Sequence, residues 1–134
     1  MNQLGFHNNE SGKDIHTHTP SIIQKFIAVY KLWNAAHNNI PKQSRFTLGA
    51  KIDAFFLDTI ELLFIASYLG KEEKVPILRK ASTKLDLLKF FLQIAWELRV
   101  LDTKIYTDLS QSLDEIGRML GGWRRGLQNK TPAG

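Results

Sequence analysis

A chain of 134 residues, 43% hydrophobic and 23% charged, is long enough to bury one core and too apolar for intrinsic disorder, so one folded domain is expected. The absence of cysteine excludes disulfide frameworks and thiolate zinc sites, and makes a reducing cytoplasm the expected compartment. The formal net charge of +5 suits a polyanionic partner, because Lys and Arg near phosphates release condensed counterions, but it suits plain solubility equally well.

Residues 1–19 are polar, without the basic and apolar regions of a signal peptide, and are expected to form a flexible tail. Their histidines, His7, His16 and His18, lack a third fixed ligand, so no metal site is assigned to them. Thr19-Pro20 predicts the start of a first helix, with Thr19 as cap and Pro20 at the first helical position. Ile22, Phe26, Val29, Tyr30 and Trp33 follow at helical spacing until Asn38-Asn39-Ile40-Pro41 ends the run.

A second helix is predicted over 44–69, with Leu48, Ile52, Phe55, Phe56, Leu63 and Ala66 on one face and Gly70 closing it. The most apolar stretch, Ala54 to Leu69, is interrupted by Asp58 and Glu61 and is too short to span a membrane. Its other side is apolar too, through Phe46, Leu57, Ile60, Phe64 and Tyr68. The third helix is expected over 74–100, with Pro76 in its first turn and a core stripe of Leu78, Ala81, Leu85, Leu88, Leu92, Ala95 and Trp96. A second stripe, Leu87, Phe91, Ile94 and Leu98, has the four-three-four spacing of a coiled-coil seam. Asp102-Thr103 offers a cap for a fourth helix carrying Ile105, Leu109, Leu113, Ile116, Leu120 and Trp123. Its last turn is expected to fray at Gly121-Gly122, leaving 128–134 as a second tail.

Four such helices with short connections predict an all-α, antiparallel four-helix bundle over 20–127. One core cannot cover both faces of the second and third helices. Leu57, Ile60, Phe64, Leu87, Phe91 and Ile94 are therefore assigned to a subunit interface, in preference to burial by the N-terminal segment.

No catalytic or cofactor motif is recognisable, so the expectation is a protein that is not an enzyme and uses no cofactor or metal. His37 suits the C-terminal end of the first helix dipole. Most of Asp53, Asp58, Asp86, Glu97, Asp114 and Glu115 read as ion-pair partners on solvated faces, for example Asp114 with Arg118 four residues on. The basic residues are better ordered. Arg79, Lys80 and Lys84 cluster on the third helix, while Lys104, Arg118 and Arg125 fall within about 60° of one another on the fourth. On a single helix such strips are usually just a solvated face. Repeated around an oligomer, they make an additive phosphate-binding surface.

Arg45-Phe46-Thr47-Leu48-Gly49, Lys84-Leu85-Asp86-Leu87-Leu88 and Glu115-Ile116-Gly117-Arg118-Met119-Leu120-Gly121-Gly122-Trp123 carry a resemblance over about 22–127. They resemble the accessory variability determinant proteins of diversity-generating retroelements, which implies a basic bundle assembled as a pentameric ring. It also implies binding to the element's reverse transcriptase and to RNA or cDNA, in support of mutagenic retrohoming, with the chemistry carried by the reverse transcriptase. Proteins encoded in intervening sequences of large-subunit ribosomal RNA genes are more distantly similar, and imply instead a structural or protein-interaction bundle without a nucleic-acid role. Within the motifs, Arg45 fits either an anion contact or a cap. Gly117 and Gly121 would admit a neighbouring backbone, and Trp123 is expected in the core.

Overall fold

A computed structural model describes residues 20–129, and the expected N-terminal tail with its histidines lies outside them. Four long helices occur among the described residues: α1 (Ser21–His37), α2 (Ala50–Tyr68), α3 (Lys71–Glu97) and α4 (Thr103–Asn129). A short turn, Lys42–Ser44, and a π-helical turn, Arg45–Gly49, lead into α2. No strand occurs among the described residues.

Each helix packs on two others, α1 on α2, α2 on α3, α3 on α4 and α4 back on α1. Cross-helix contacts show that all four pairings are antiparallel. Trp33 meets Asp53 while Phe26 meets Phe56, and Phe91 meets Phe55 while Lys84 meets Asp58. Trp96 meets Tyr106 while Lys89 meets Asp114. Ala36 and Ile105 line one cleft near the end of α1, and Lys25 meets Glu115 near its start.

The predicted stripes form the core. Phe26, Trp33, Phe56, Leu63, Leu78, Leu88, Leu92, Leu109 and Leu113 are fully buried, and Ile40 plugs the loop end between α1 and α2. Replacing any one of these leucines with Ala would cost about 2–5 kcal/mol, because a close-packed interior collapses only partly around the hole. Leu48, Ile105 and Trp123 pack at the edge of this core.

Several boundaries differ from the sequence expectation. Pro20 is the cap of α1 and has an extended backbone, its carbonyl accepting the Ile23 and Gln24 N–H groups. Thr19 lies outside the described residues. Helix α3 begins at Lys71, with Glu72 and Glu73 at its positive N-terminal end, where carboxylates are favourable. Pro76 therefore sits in the second turn, and the Glu72 carbonyl receives no N–H from it.

Helix α3 stops at Glu97, in a two-bond C-cap. The Arg99 N–H bonds the Trp96 carbonyl at 2.9 Å and the Val100 N–H bonds the Ala95 carbonyl at 2.8 Å, with Arg99 left-handed at φ 63°. A glycine usually occupies that position. Asp102 caps α4 as expected, its Oδ1 accepting the Ile105 N–H at 2.8 Å. The expected fraying at Gly121-Gly122 is absent, because Trp123 and Leu127 pack on the core beyond it and the Lys74 ammonium lies 5.5 Å above the Trp123 ring. Trp96 is not a core residue. It stands at the rim, stacked on Tyr106.

Candidate nucleic-acid and subunit interfaces

The six basic residues singled out from the sequence fall in three places. Arg79, Lys80 and Lys84 line one groove of about 600 Å3 between α2 and α3, together with Asp58, Glu61, Leu62, Pro76, Thr83 and Leu87. Arg118 and Arg125 line a second groove of about 460 Å3 between α3 and α4, beside Ser82, Asp86, Lys89 and Asp114. Lys104 stands apart at the start of α4, about 21 Å along the helix from Arg118 at 1.5 Å per residue. It is held by Asp108 at 3.2 Å. The expected strip along α4 is thus a pair of arginines plus an isolated, paired lysine.

Pairing separates the cations further. Lys84 meets Asp58 at 3.4 Å, both groups partly exposed, and such a pair contributes little in water. Its ammonium also lies 5.6 Å from the Phe55 ring, which Lys51 approaches at 5.3 Å. Sequence reasoning overlooked Lys51, although its spacing of four from Phe55 is a usable signal. Arg79, Lys80, Arg118 and Arg125 form no salt bridge among the described residues. Arg125 instead folds back, its Nη1 lying 3.1 Å from where a Cβ on Gly121 would stand.

The acids are mostly occupied. Asp114 does not pair with Arg118 but reaches across to Lys89 at 2.8 Å. Glu115 takes Lys25 at 2.9 Å. That hydrogen bond and the ammonium charge, with a smaller contribution from Arg118, hold the Glu115 carboxyl below its usual range. Asp53 accepts the Tyr30 hydroxyl at 2.9 Å and the Trp33 indole N–H at 3.2 Å, joining α1 to α2. Burial first, and then the bond to and charge of Asp53, push the Tyr30 hydroxyl up. No group of three or more His, Asp or Glu side chains among the described residues is placed to hold a metal ion.

In the Arg45–Gly49 motif, Arg45 Nη2 donates to the carbonyls of Ile40 (3.0 Å) and Asn38 (3.3 Å), so its role is a cap over the end of α1. Gly49 is buried, and a Cβ there would meet His37 Nε2 at 2.7 Å. His37 in turn stacks on Trp33. In the α4 motif, Gly117 meets no neighbouring backbone. A Cβ there would touch only Leu85, at an ordinary 3.7 Å.

The surplus apolar residues remain uncovered. Leu57 is 46% exposed, Phe64 51% and Leu87 38%, while Ile60, Phe91 and Ile94 are half-buried. At about 100° per residue, Leu57, Ile60 and Phe64 lie roughly 160° around α2 from Phe55, Asp58 and Leu62, which face α3. The α3 stripe opens on that other side, where Leu87 lines the groove and Phe91 packs on Phe55. The chain therefore carries two apolar surfaces facing different ways. No helix among the described residues is long and apolar enough to cross a membrane.

Fold and surface together define the class: an all-helical, four-helix bundle with uncovered apolar sides and cationic grooves. Within it the chain belongs to the bAvd-like family, the accessory variability determinant family, whose model matches residues 16–127 and so includes all three motifs. No curated protein matches the chain.

Proposed function

We propose that this chain is a non-enzymatic accessory protein of a diversity-generating retroelement, which holds RNA or cDNA on its basic grooves and brings it to a reverse transcriptase. Membership of the family supports the setting. The observation that carries the nucleic-acid reading is the set of four arginine and lysine side chains, Arg79, Lys80, Arg118 and Arg125, without salt bridges in two grooves of one small bundle. Lys84 and Lys104 join them by exchanging a weak surface carboxylate partner for a phosphate. The protein works as a ring, because two apolar surfaces facing different ways suit a head-to-tail contact, and such contacts close into rings when the rotation permits. A pentamer is the ring the family resemblance implies, and the cytoplasm is where its nucleic-acid partners are met.

The test is titration of the protein with short RNA and DNA at several salt concentrations. Replacing Arg79, Lys80, Arg118 and Arg125 by Gln should lower the slope of log K against log salt by about 0.7–0.9 for each phosphate that the variant no longer neutralises. An unchanged slope in the folded variant would remove the grooves from the interface. No binding by the unsubstituted chain would leave a purely protein-interacting bundle.

A further inference from the structure

A cleft of about 790 Å3 opens at the end of the bundle, between the last turn of α1 with the loop that follows and the α3–α4 corner. Trp96 lines it and is 36% exposed, although helical spacing puts this residue in line with the core. Its ring is held from two directions. It stacks on Tyr106 at 4.8 Å with only 7° between the planes, and its Nε1–H donates to Thr103 Oγ1 at 3.1 Å. An indole kept out of the core in one fixed orientation is a preformed stacking surface.

The second observation concerns charge at the rim. Arg99, on the same cleft, is the one non-glycine residue with positive φ among those described, a conformation glycine adopts without penalty and a residue bearing a Cβ does not. The C-cap of α3 sets this φ and fixes where the Arg99 side chain leaves the backbone. Its guanidinium has no partner among the described residues, only its backbone N–H being engaged, by the Trp96 carbonyl. The two carboxylates nearby each accept one hydrogen bond and stay charged, Glu97 from Gln93 Nε2 at 2.8 Å and Asp102 from the Ile105 N–H. Their negative charge repels phosphate and confines it to the Arg99 rim, while the remaining lone pairs of Glu97 and the Asn39 amide offer the acceptor and donor groups that meet base edges.

We propose that this cleft binds one unstacked nucleotide of a single strand, with its base on Trp96 and its phosphate on Arg99. The site rests on the nucleic-acid reading above but is separate from both basic grooves. A base within a duplex cannot reach it, since both its faces are already stacked.

Titrating the full chain with a single-stranded oligoribonucleotide, and separately with a duplex, tests this. Trp96→Ala should weaken single-strand binding by about tenfold without changing the salt slope, since stacking and not a phosphate is removed. Duplex affinity should stay as it was, and Trp96→Phe should restore most of the single-strand affinity. Arg99→Gly should lower the single-strand salt slope by about 0.7, the value for one phosphate. Melting curves check that each variant is folded. Unchanged single-strand affinity in Trp96→Ala overturns the site while leaving the grooves standing, whereas an unsubstituted chain that binds no nucleic acid overturns both. Weaker capture of reverse transcriptase at unchanged oligonucleotide affinity makes the cleft a protein-docking surface and overturns the nucleotide assignment.

Discussion

Three residues show how backbone requirements decide what a position tolerates. Gly49 is squeezed by the His37 ring, whose Nε2 would stand 2.7 Å from an added Cβ. Gly49→Ala should therefore destabilise the fold by about 1–3 kcal/mol, since a stacked ring and the turn entering α2 must both shift. Gly126 has nothing within 4 Å of its virtual Cβ, so Gly126→Ala should add helix propensity worth up to about 1 kcal/mol. Arg99 is the reverse case, an L side chain held at φ 63°. Relief of that strain in Arg99→Gly, less the extra freedom of glycine in the unfolded chain, should stabilise by about 0.5–1 kcal/mol. Thermal unfolding of the three variants reads these signs directly, and a more stable Gly49→Ala protein would refute the packing reason given for that glycine. None of the three was legible in the sequence. Gly49 and Gly126 depend on what the fold does or does not bring beside them, and Arg99 on the cap geometry at the end of α3, none of which a motif shows.

Helical elements were far more legible, because a 3.6-residue period in the apolar positions directly reports a buried face. Leu78, Leu85, Leu92, Leu109 and Leu113 are core residues as their spacing predicts. Ends were less legible, since Pro76 looks like a helix start while the acidic pair Glu72 and Glu73 lets α3 begin a turn earlier. Trp96 departs from its stripe because α3 stops at Glu97 and the ring finds Tyr106 on α4 instead. The tie between α1 and α2 makes a pH prediction. The Tyr30 hydroxyl is raised above its usual value, by burial first and then by Asp53, so the folded state holds that proton more tightly than the unfolded chain. Its contribution is fully present below about pH 10 and is lost as pH rises through the higher folded value. Tyr30→Phe should cost about 1 kcal/mol at neutral pH for the missing hydrogen bond, and should remove that part of the alkaline loss. Denaturant melts at pH 7 and above pH 10 measure both, and an identical alkaline limb in Tyr30→Phe would assign it to other groups.

At the scale of the whole molecule, the apolar surfaces make the most discriminating prediction. The sequence indicated that α2 and α3 had more apolar residues than one core could use, but only the three-dimensional arrangement shows that the surplus faces two ways. In a head-to-tail ring each subunit offers its α2 surface to a neighbour's α3 surface. Leu57→Glu with Phe64→Glu spoils the first surface, and Leu87→Glu with Leu98→Glu spoils the second. Leu98, at 66% exposed, can be changed without touching the core. With each side chain already about half-buried in one subunit, each pair removes about 1.5–3 kcal/mol of apolar burial from a contact, roughly ten- to a hundredfold in Kd, and places two carboxylates in it. Light scattering should therefore find each double variant monomeric at micromolar concentration. An equal mixture of the two should contain dimers and nothing larger, because one intact surface remains on each partner and the pair has no third side to extend from. A two-fold symmetric contact behaves differently, since the variant keeping the self-complementary surface stays dimeric alone and mixing adds nothing. Dimers in the mixture alone, combined with a larger closed assembly for the unsubstituted chain, would establish the ring contact and its direction together.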